Sequence, residues 1–163
     1  MVSSESVSGA MKRVSVSRRV LRGFQPSLLV KLREAGGLTR PELARLADVS
    51  LQTIHKWESG SQSPQIDVLM RVVGVLGTTV SDLVDIRPED RYPGDWRVIR
   101  GLTQPELGAR AGISTSMVGA IERGDSRLTD HFAEKLAEAL EIPEAELRAS
   151  FERVRSRPPG TPA

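Results

Sequence analysis

The sequence predicts an all-α fold made of two small five-helix units in tandem. A pattern of residues recurs after 64 positions, apolar residues recur at helical spacing, and no segment shows the sustained alternation of a strand. The repeat is clearest between 38–60 and 102–124, where nine of 23 positions are identical. The 163 residues therefore suffice for two units, each near the lower size limit for a self-sufficient core.

Composition limits the kinds of protein that this chain can be. Apolar residues make up 39% and aromatic residues 4%, so the cores are expected to consist of Leu, Val, Ile and Ala. Cysteine is absent, which removes thiolate metal sites and cysteine nucleophiles and fits a reducing cytoplasm. No segment approaches the roughly 20 apolar residues of a membrane span, and no secretory signal is recognisable. With two histidines and no paired carboxylates in a cleft, we expect no enzyme, metal site or cofactor.

Charge and helix-breaking residues divide the chain into five segments. Residues 1–23 carry five basic groups against one acidic group and are expected to form a basic, disordered arm. The first unit spans 24–85 and the second 94–155. The linker 86–93 with its flanks reaches at most ~33–36 Å when extended, and the Pro-rich tail 156–163 cannot continue a helix.

Caps and breakers predict where the helices of the first unit begin and end. Pro26 suits a first turn, and Gly36 ends the first helix. Thr39 followed by Glu42 forms a capping box, which predicts the start of the second helix. Ser50 is a natural N-cap for the third helix.

The remaining helices follow from the same signals. A fourth helix follows Ser63-Pro64 and ends at Gly77, and a fifth contains Val80, Leu83 and Val84. The second unit repeats the caps and adds a longer last helix. Its signals are Thr103 with Glu106, Ser114 as N-cap, Pro143 at the start of the last helix, and Leu147, Phe151 and Val154 along that helix.

This ordered pattern resembles the Cro/C1-type (xenobiotic-response-element-like) helix-turn-helix domain of bacterial and phage repressors, which has the lambda-repressor-like fold. The resemblance covers roughly 26–84 and 93–150. In the first unit it is carried by Gly37-Leu38-Thr39, Glu42-Leu43-Ala44, Ala47, Val49-Ser50, Ile54, Trp57-Glu58 and Gly60. In the second unit it is carried by Gly101-Leu102-Thr103-Gln104, Glu106-Leu107, Ala111-Gly112-Ile113-Ser114, Val118 and Ile121-Glu122-Arg123-Gly124. It implies a bacterial transcription regulator that binds a double-stranded DNA operator, typically as a repressor.

In such domains the third helix lies in the major groove, and its outward side chains contact the bases. Leu51, Gln52 and Lys56 take these positions in the first unit. Gln52 is suited to adenine, Lys56 to guanine and Leu51 to a thymine methyl. The equivalents in the second unit are Thr115, Ser116 and Ala120, which offer fewer contacts, so the first unit is expected to be the main base reader. The alternative, a merely solvated helix surface, stays open, above all for Thr115 and Ser116.

A second set of residues is expected to contact DNA phosphates. The resemblance places Arg40 at a phosphate-binding position, and hydroxyls and cations near the helix ends suit the same role. The full set is Arg40, Ser50, Thr53, His55 and Ser59 in the first unit, and Gln104, Ser114, Arg123 and Arg127 in the second. Glu58 and Glu122 are expected to be structural and to bond locally near the helix end.

The duplication raises two hypotheses about assembly. The chain could act as a covalent pseudo-dimer on an imperfectly symmetric operator, since half-sites one turn apart lie ~34–36 Å from each other. The competing geometry is a homodimer with Leu147, Phe151 and Val154 of the last helix as its interface.

The alternative function is binding of a protein instead of DNA. Residues 95–154 hold eight basic and eleven acidic groups, and the third helix of the second unit is small and weakly basic. These features favour a protein-interaction adaptor or antitoxin-like regulator, in which one or both units bind a protein partner, the second unit above all.

Overall fold

The computed structural model describes residues 21–163, which form nine α-helices around two apolar cores. The first unit contains α1 (Pro26–Ala35), α2 (Arg40–Leu46), α3 (Leu51–Glu58) and α4 (Ile66–Leu76). The second unit contains α5 (Pro93–Ile99), α6 (Gln104–Ala111), α7 (Thr115–Arg123), α8 (Asp130–Leu140) and α9 (Glu144–Arg155). Over this range the β-structure is limited to one isolated bridge between Phe24 and Val84, so the predicted all-α class is confirmed.

The predicted helix ends of the first unit agree with the structure. Pro26 opens α1, and Gly36 follows its last residue. The capping box at α2 is formed, because Thr39 Oγ1 accepts from the Glu42 N–H at 3.3 Å and Glu42 Oε2 accepts from the Thr39 N–H at 2.8 Å. Gly77 ends α4 with φ 63°, a left-handed conformation that favours glycine.

The predicted fifth helix of the first unit is reduced to one 3₁₀ turn, Val80–Asp82. The turn opens with a capping box, in which the carboxylate of Asp82 accepts from the Thr79 N–H at 2.9 Å. The chain then leaves the helical path, because Leu83 O accepts from the Gln25 N–H at 2.9 Å. Directly afterwards, Val84 pairs with Phe24 instead of continuing the helix.

The two units have separate cores built from aliphatic side chains, as the composition predicts. The first core includes Leu29, Leu43, Ile54, Leu69 and Leu83, all fully buried. The second core includes Leu107, Val118, Ile121, Leu140 and Leu147, each at most 2% exposed.

The last helix contradicts the interface that the homodimer hypothesis assigned to it. Leu147, Phe151 and Val154 on α9 are 0%, 4% and 0% exposed and belong to the second core. Their apolar stripe faces its own unit, so these side chains cannot also pack against another copy.

As expected from the prolines, α9 ends before the tail, where the Thr161 N–H donates to Pro158 O at 3.1 Å.

Both ends of the first unit extend further than the sequence suggested. Residues 1–20 of the predicted arm lie outside the described residues, but Leu21 is buried in the first core. The linker contains a 3₁₀ turn, Pro88–Asp90, and is not extended. Ile86 within it packs against the first core.

Two helix-interior glycines lead to opposite predictions for substitution by alanine. A Cβ at Gly108 in α6 would lie 2.6 Å from the backbone oxygen of Ile113, whereas a Cβ at Gly74 in α4 would meet nothing within 4 Å. We expect Gly108→Ala to lower the free energy of unfolding by about 1–3 kcal/mol, because backbone must move. Gly74→Ala should raise it by about 0.5–1 kcal/mol. Urea titrations of both variants measure this, and equal effects of the same sign would contradict it.

Candidate nucleic-acid interface

The first unit positions α3 by a short, tightly constrained turn after α2. The turn passes through Asp48, which has φ 52°, an uncommon conformation for a residue with a side chain. Arg71 on α4 donates to the carbonyl oxygen of Asp48 at 2.7 Å and holds the turn against the unit. Ser50 Oγ then accepts from the Thr53 N–H at 3.0 Å and caps α3.

One face of α3 is buried and the opposite face is presented outward. Ile54 and Trp57 are 0% and 2% exposed. Leu51 is 49% exposed, Gln52 is exposed and Lys56 is half-buried. The expected outward placement is observed for Leu51 and Gln52 and only in part for Lys56, and contact of all three with bases stays a prediction.

An open groove runs beside α3 and brings several predicted site residues together. Leu51 and Gln52, the predicted base readers, share it with Arg40 and His55, two predicted phosphate ligands. Its other lining residues are Arg33, Glu34, Thr39 and Pro41. Both kinds of contact can therefore be made from one surface of the first unit.

The hydroxyls predicted to contact phosphates also organise the ends of α3. Ser50 Oγ and Thr53 Oγ1 lie 2.8 Å apart at its start. At its end, the Ser59 hydroxyl donates to Lys56 O at 3.1 Å. Ser50 and Ser59 are exposed, so their remaining hydrogen-bonding capacity faces solvent.

A buried ion pair between Arg33 and Glu58 holds the C-terminal end of α3 in place. Arg33 on α1 donates through Nε to Glu58 Oε1 at 2.5 Å and through Nη2 to Oε2 at 3.2 Å. Its Nη1 donates to Leu38 O, just before α2, at 2.8 Å. Arg40 also binds Glu58 through Nε, although its side chain stays 44% exposed. One guanidinium thus ties α1 and the start of α2 to the end of α3.

The pair shifts the pKa values of both partners. Burial acts to raise the pKa of Glu58, but hydrogen bonds and positive charge from Arg33 and Arg40 outweigh it, so the pKa lies below the ordinary value of 4.5. The hydrogen bond to Glu58 raises the pKa of Arg33 in turn. Both side chains are therefore held in their charged forms.

The second unit repeats this ion pair. Arg97 on α5 donates to Glu122 Oε1 at 2.6 Å and to Oε2 at 3.2 Å, and its Nη1 donates to Leu102 O at 2.7 Å. Gln104 stands where the first unit has Arg40, and its Nε2 donates to Glu122 Oε2 at 2.7 Å. An amide therefore replaces the third charge of the first unit.

The outward face of α7 is smaller than that of α3. Ser114 Oγ accepts from the Met117 N–H at 3.3 Å, and Thr115 and Ser116 are exposed. Ala120 is half-buried and Gly119 is buried, with room for a Cβ limited by Arg123 Nη1 at 3.1 Å.

Cations of the second unit lie beside this face. Arg123 is exposed and donates through Nε to Asp125 Oδ2 at 2.7 Å, which neutralises part of its charge. Arg127 is exposed in the segment between α7 and α8. These positions are compatible with phosphate contacts, which stay a prediction.

The arginines of the two buried pairs were missed by the sequence analysis. Glu58 and Glu122 are structural, but their main partners lie 25 residues earlier in the chain and are not local. A usable signal existed, because Arg33 and Arg97 are themselves 64 positions apart and so occupy the same position of the repeat.

Residues 21–163 contain neither a metal-ligand cluster nor a membrane-spanning helix. No group of three or more His, Cys, Asp or Glu side chains in this range could hold a metal ion. None of the helices in the same range has the length and apolar character to cross a membrane.

The comparison with protein families gives a double match. A family model described as helix-turn-helix matches residues 29–83 and again residues 95–147. The two matches together cover more than half of the chain and coincide with the two helical units. No curated protein matches the chain.

The ion pair between Arg33 and Glu58 predicts that Glu58→Gln lowers the free energy of unfolding by an amount that depends on pH. At pH 7 the variant leaves the guanidinium of Arg33 without its counter-charge, which should cost about 3–5 kcal/mol of unfolding free energy. Because the folded pKa of Glu58 is lowered, its stabilisation is present above the ordinary value of 4.5 and is lost as the pH falls through the folded value. The difference between the variant and the wild type should therefore shrink in acid.

Urea denaturation of both proteins from neutral pH to about pH 3 measures this difference. Glu146→Gln, at an exposed position on α9, is the matched control and should follow the wild type throughout. A difference for Glu58→Gln that stays constant over the whole range would contradict the assignment.

Proposed function

The chain belongs to the helix-turn-helix family, which indicates a DNA-binding transcription regulator, and from this we propose that it binds a specific double-stranded DNA operator with the first unit as main base reader. The observation that carries the proposal is the exposed face of α3, where Leu51 and Gln52 stand outward while Ile54 and Trp57 are buried. Occupying an operator in this way would repress transcription by blocking the polymerase.

Base contacts are assigned to the three side chains that point away from the core. Gln52 can make two hydrogen bonds to adenine, Lys56 can donate to guanine, and Leu51 can touch a thymine methyl. Lys56 is half-buried, and a lysine in such a position can keep its ammonium in water, from where it would reach a base edge.

Phosphate contacts surround this surface. Arg40 and His55 line the same groove as Gln52, and Ser50 and Ser59 are exposed at the two ends of α3. Contacts of this kind orient a domain on the duplex but carry no base preference.

The second unit is assigned a supporting role on the same DNA. Thr115 and Ser116 can hydrogen-bond to several bases, and Ala120 can offer only a methyl group. Gln104, Ser114, Arg123 and Arg127 supply its phosphate contacts. With two different outward faces in one chain, a pseudo-dimer would bind two unequal half-sites.

A protein partner for the second unit is the second candidate. It is favoured by the excess of acidic over basic groups in 95–154 and by the small outward face of α7. An adaptor of this kind would use the second unit to bind a protein while the first unit binds DNA.

Base reading by α3 is tested on an operator selected from a random duplex pool. Gln52→Ala and Lys56→Ala should each weaken binding to that operator by about 1–3 kcal/mol, roughly 5- to 150-fold, and relax the preference at the contacted base pair. Lys31→Ala removes an exposed cation on α1, away from the groove, and serves as control. Fluorescence anisotropy measures all three, and equal losses for Lys31→Ala and Lys56→Ala would contradict base reading.

The role of the second unit is tested by the salt dependence of binding to the same operator. If Arg127 contacts a phosphate, Arg127→Ala should reduce the slope of log affinity against log salt by about 1. Thr115→Ala should change the preference only in the half-site that Lys56→Ala leaves unaffected. An unchanged slope together with unchanged preference would favour the protein-binding candidate for this unit.

A further inference from the structure

The last residues of the predicted arm are anchored in the first unit. Leu21 is 8% exposed, and its backbone N–H donates to Ser63 Oγ at 2.8 Å. The Gly23 carbonyl accepts from the Asp85 N–H at 2.8 Å, next to the bridge between Phe24 and Val84. Arg22 is thereby held between two fixed neighbours at the edge of its unit.

The side chain of Arg22 crosses to the second unit. Its guanidinium binds the carboxylate of Asp95 and lies 3.9 Å from the centroid of the Tyr92 ring. Asp95 is 8% exposed and also accepts from the Tyr92 N–H at 2.7 Å. Burial raises the pKa of Asp95, although this backbone hydrogen bond and the charge of Arg22 oppose the shift. Removing Arg22 would leave the shielded carboxylate of Asp95 without its counter-charge, which is costly.

The two acceptors of Arg22 depart from the internal repeat. Sixty-four positions earlier, the first unit has Leu28 in place of Tyr92 and Lys31 in place of Asp95. The helical unit can therefore fold without an aromatic ring and a carboxylate at these positions. In the second unit both groups bind Arg22, while Asp95 also caps α5 and Tyr92 also packs against the second core.

Further contacts join the two units in the same region, which we call the junction. Val98 on α5 packs against the first core, and Gly101 lies so close to Met70 that an added Cβ would be 2.5 Å from its sulfur. Arg153 on α9 donates to Arg91 O at 3.0 Å and to Pro88 O at 3.4 Å. The linker is thus attached to the second unit at Pro88 and Arg91 and does not act as a free spacer.

We propose that Arg22 is a positioning residue that locks the two units in one relative orientation, so that the chain binds two half-sites at a single spacing. This inference rests on the proposed DNA-binding function of both units. Preorganisation of this kind avoids the cost of ordering two mobile units on the duplex. Since one base pair corresponds to about 34° of rotation, inserting even one pair between the half-sites would misplace the second unit.

The lock itself is tested without DNA. The chain contains no cysteine, so nitroxide labels can be attached at Ala35→Cys on α1 and Ala145→Cys on α9, both exposed positions. Pulsed electron resonance should give one narrow distance distribution for the otherwise wild-type chain and a broad one after Arg22→Ala. Arg22→Lys, which keeps the charge but not the planar group over Tyr92, should broaden it less.

Two controls separate the lock from a general loss of structure. Asp95→Asn keeps an acceptor for the Tyr92 N–H but removes the charge, so it should broaden the distribution while α5 stays folded. Arg87→Ala should leave the distribution unchanged, because Arg87 pairs with Asp90 and Glu89 inside the linker. A distribution that stays narrow after Arg22→Ala overturns the proposal.

The consequence for DNA is tested with a series of selected operators carrying insertions of one to five base pairs between the half-sites. The wild type should lose at least tenfold in affinity on inserting one pair. Arg22→Ala should bind the original operator more weakly, by about three- to tenfold, and should discriminate less between spacings. A merely destabilised fold would lower affinity at every spacing equally and would leave the discrimination intact.

The operator series and the label distances test separate parts of the proposal. A wild type that binds all spacings equally overturns the single-spacing claim. A wild type that binds no duplex overturns the proposed function and the spacing claim with it, while the label distances still decide whether Arg22 holds the units together.

Discussion

Each helical unit depends on one buried ion pair between its first helix and its helix-turn-helix. The guanidinium of Arg33 binds Glu58 at the end of α3 and a carbonyl before α2, and Arg97 does the same with Glu122 in the second unit. Such pairs add little net stability over apolar packing, but an orphaned partner is expensive. The arginine therefore acts mainly as a constraint, since one guanidinium joins three segments of the unit at once. The outward faces of α3 and α7 are defined by that arrangement.

Both units have the same helix arrangement and the same buried ion pair, so they differ mainly in the side chains on their outward surfaces. Arg40 brings a second cation to Glu58, whereas Gln104 brings an amide to Glu122. His55, exposed on α3, has the buried Gly119 as its counterpart on α7. One scaffold thus carries a polar, partly cationic face and a small, nearly neutral one. This separation explains how the helices could keep their positions while the chemistry of the two surfaces diverged.

Local signals in the sequence were sufficient to place the helices and orient α3. The capping box of Thr39 with Glu42 and the glycine after α4 act within a few residues, so the pattern contains both partners. The fifth helix was predicted wrongly because apolar spacing does not register that the backbone after Val80–Asp82 pairs with residues 23–25, about 60 positions earlier. Arg22 was assigned to a free arm because its partner lies 73 residues away. A lone charged residue does not indicate which distant group it will meet, and the same holds for Arg33.

The junction serves folding as well as orientation. Units of about 60 residues bury barely enough apolar surface to be stable alone. Val98 of the second unit and Ile86 of the linker both pack against the first core and enlarge it. Separating the units would expose these side chains as well as break the contact between Arg22 and Asp95, so apolar burial and electrostatics favour the same closed arrangement. Two repeats of which the second contributes to the core of the first resemble neighbours in a repeat protein more than domains on a flexible tether. Their relative orientation is then a property of the fold, present before any partner is bound.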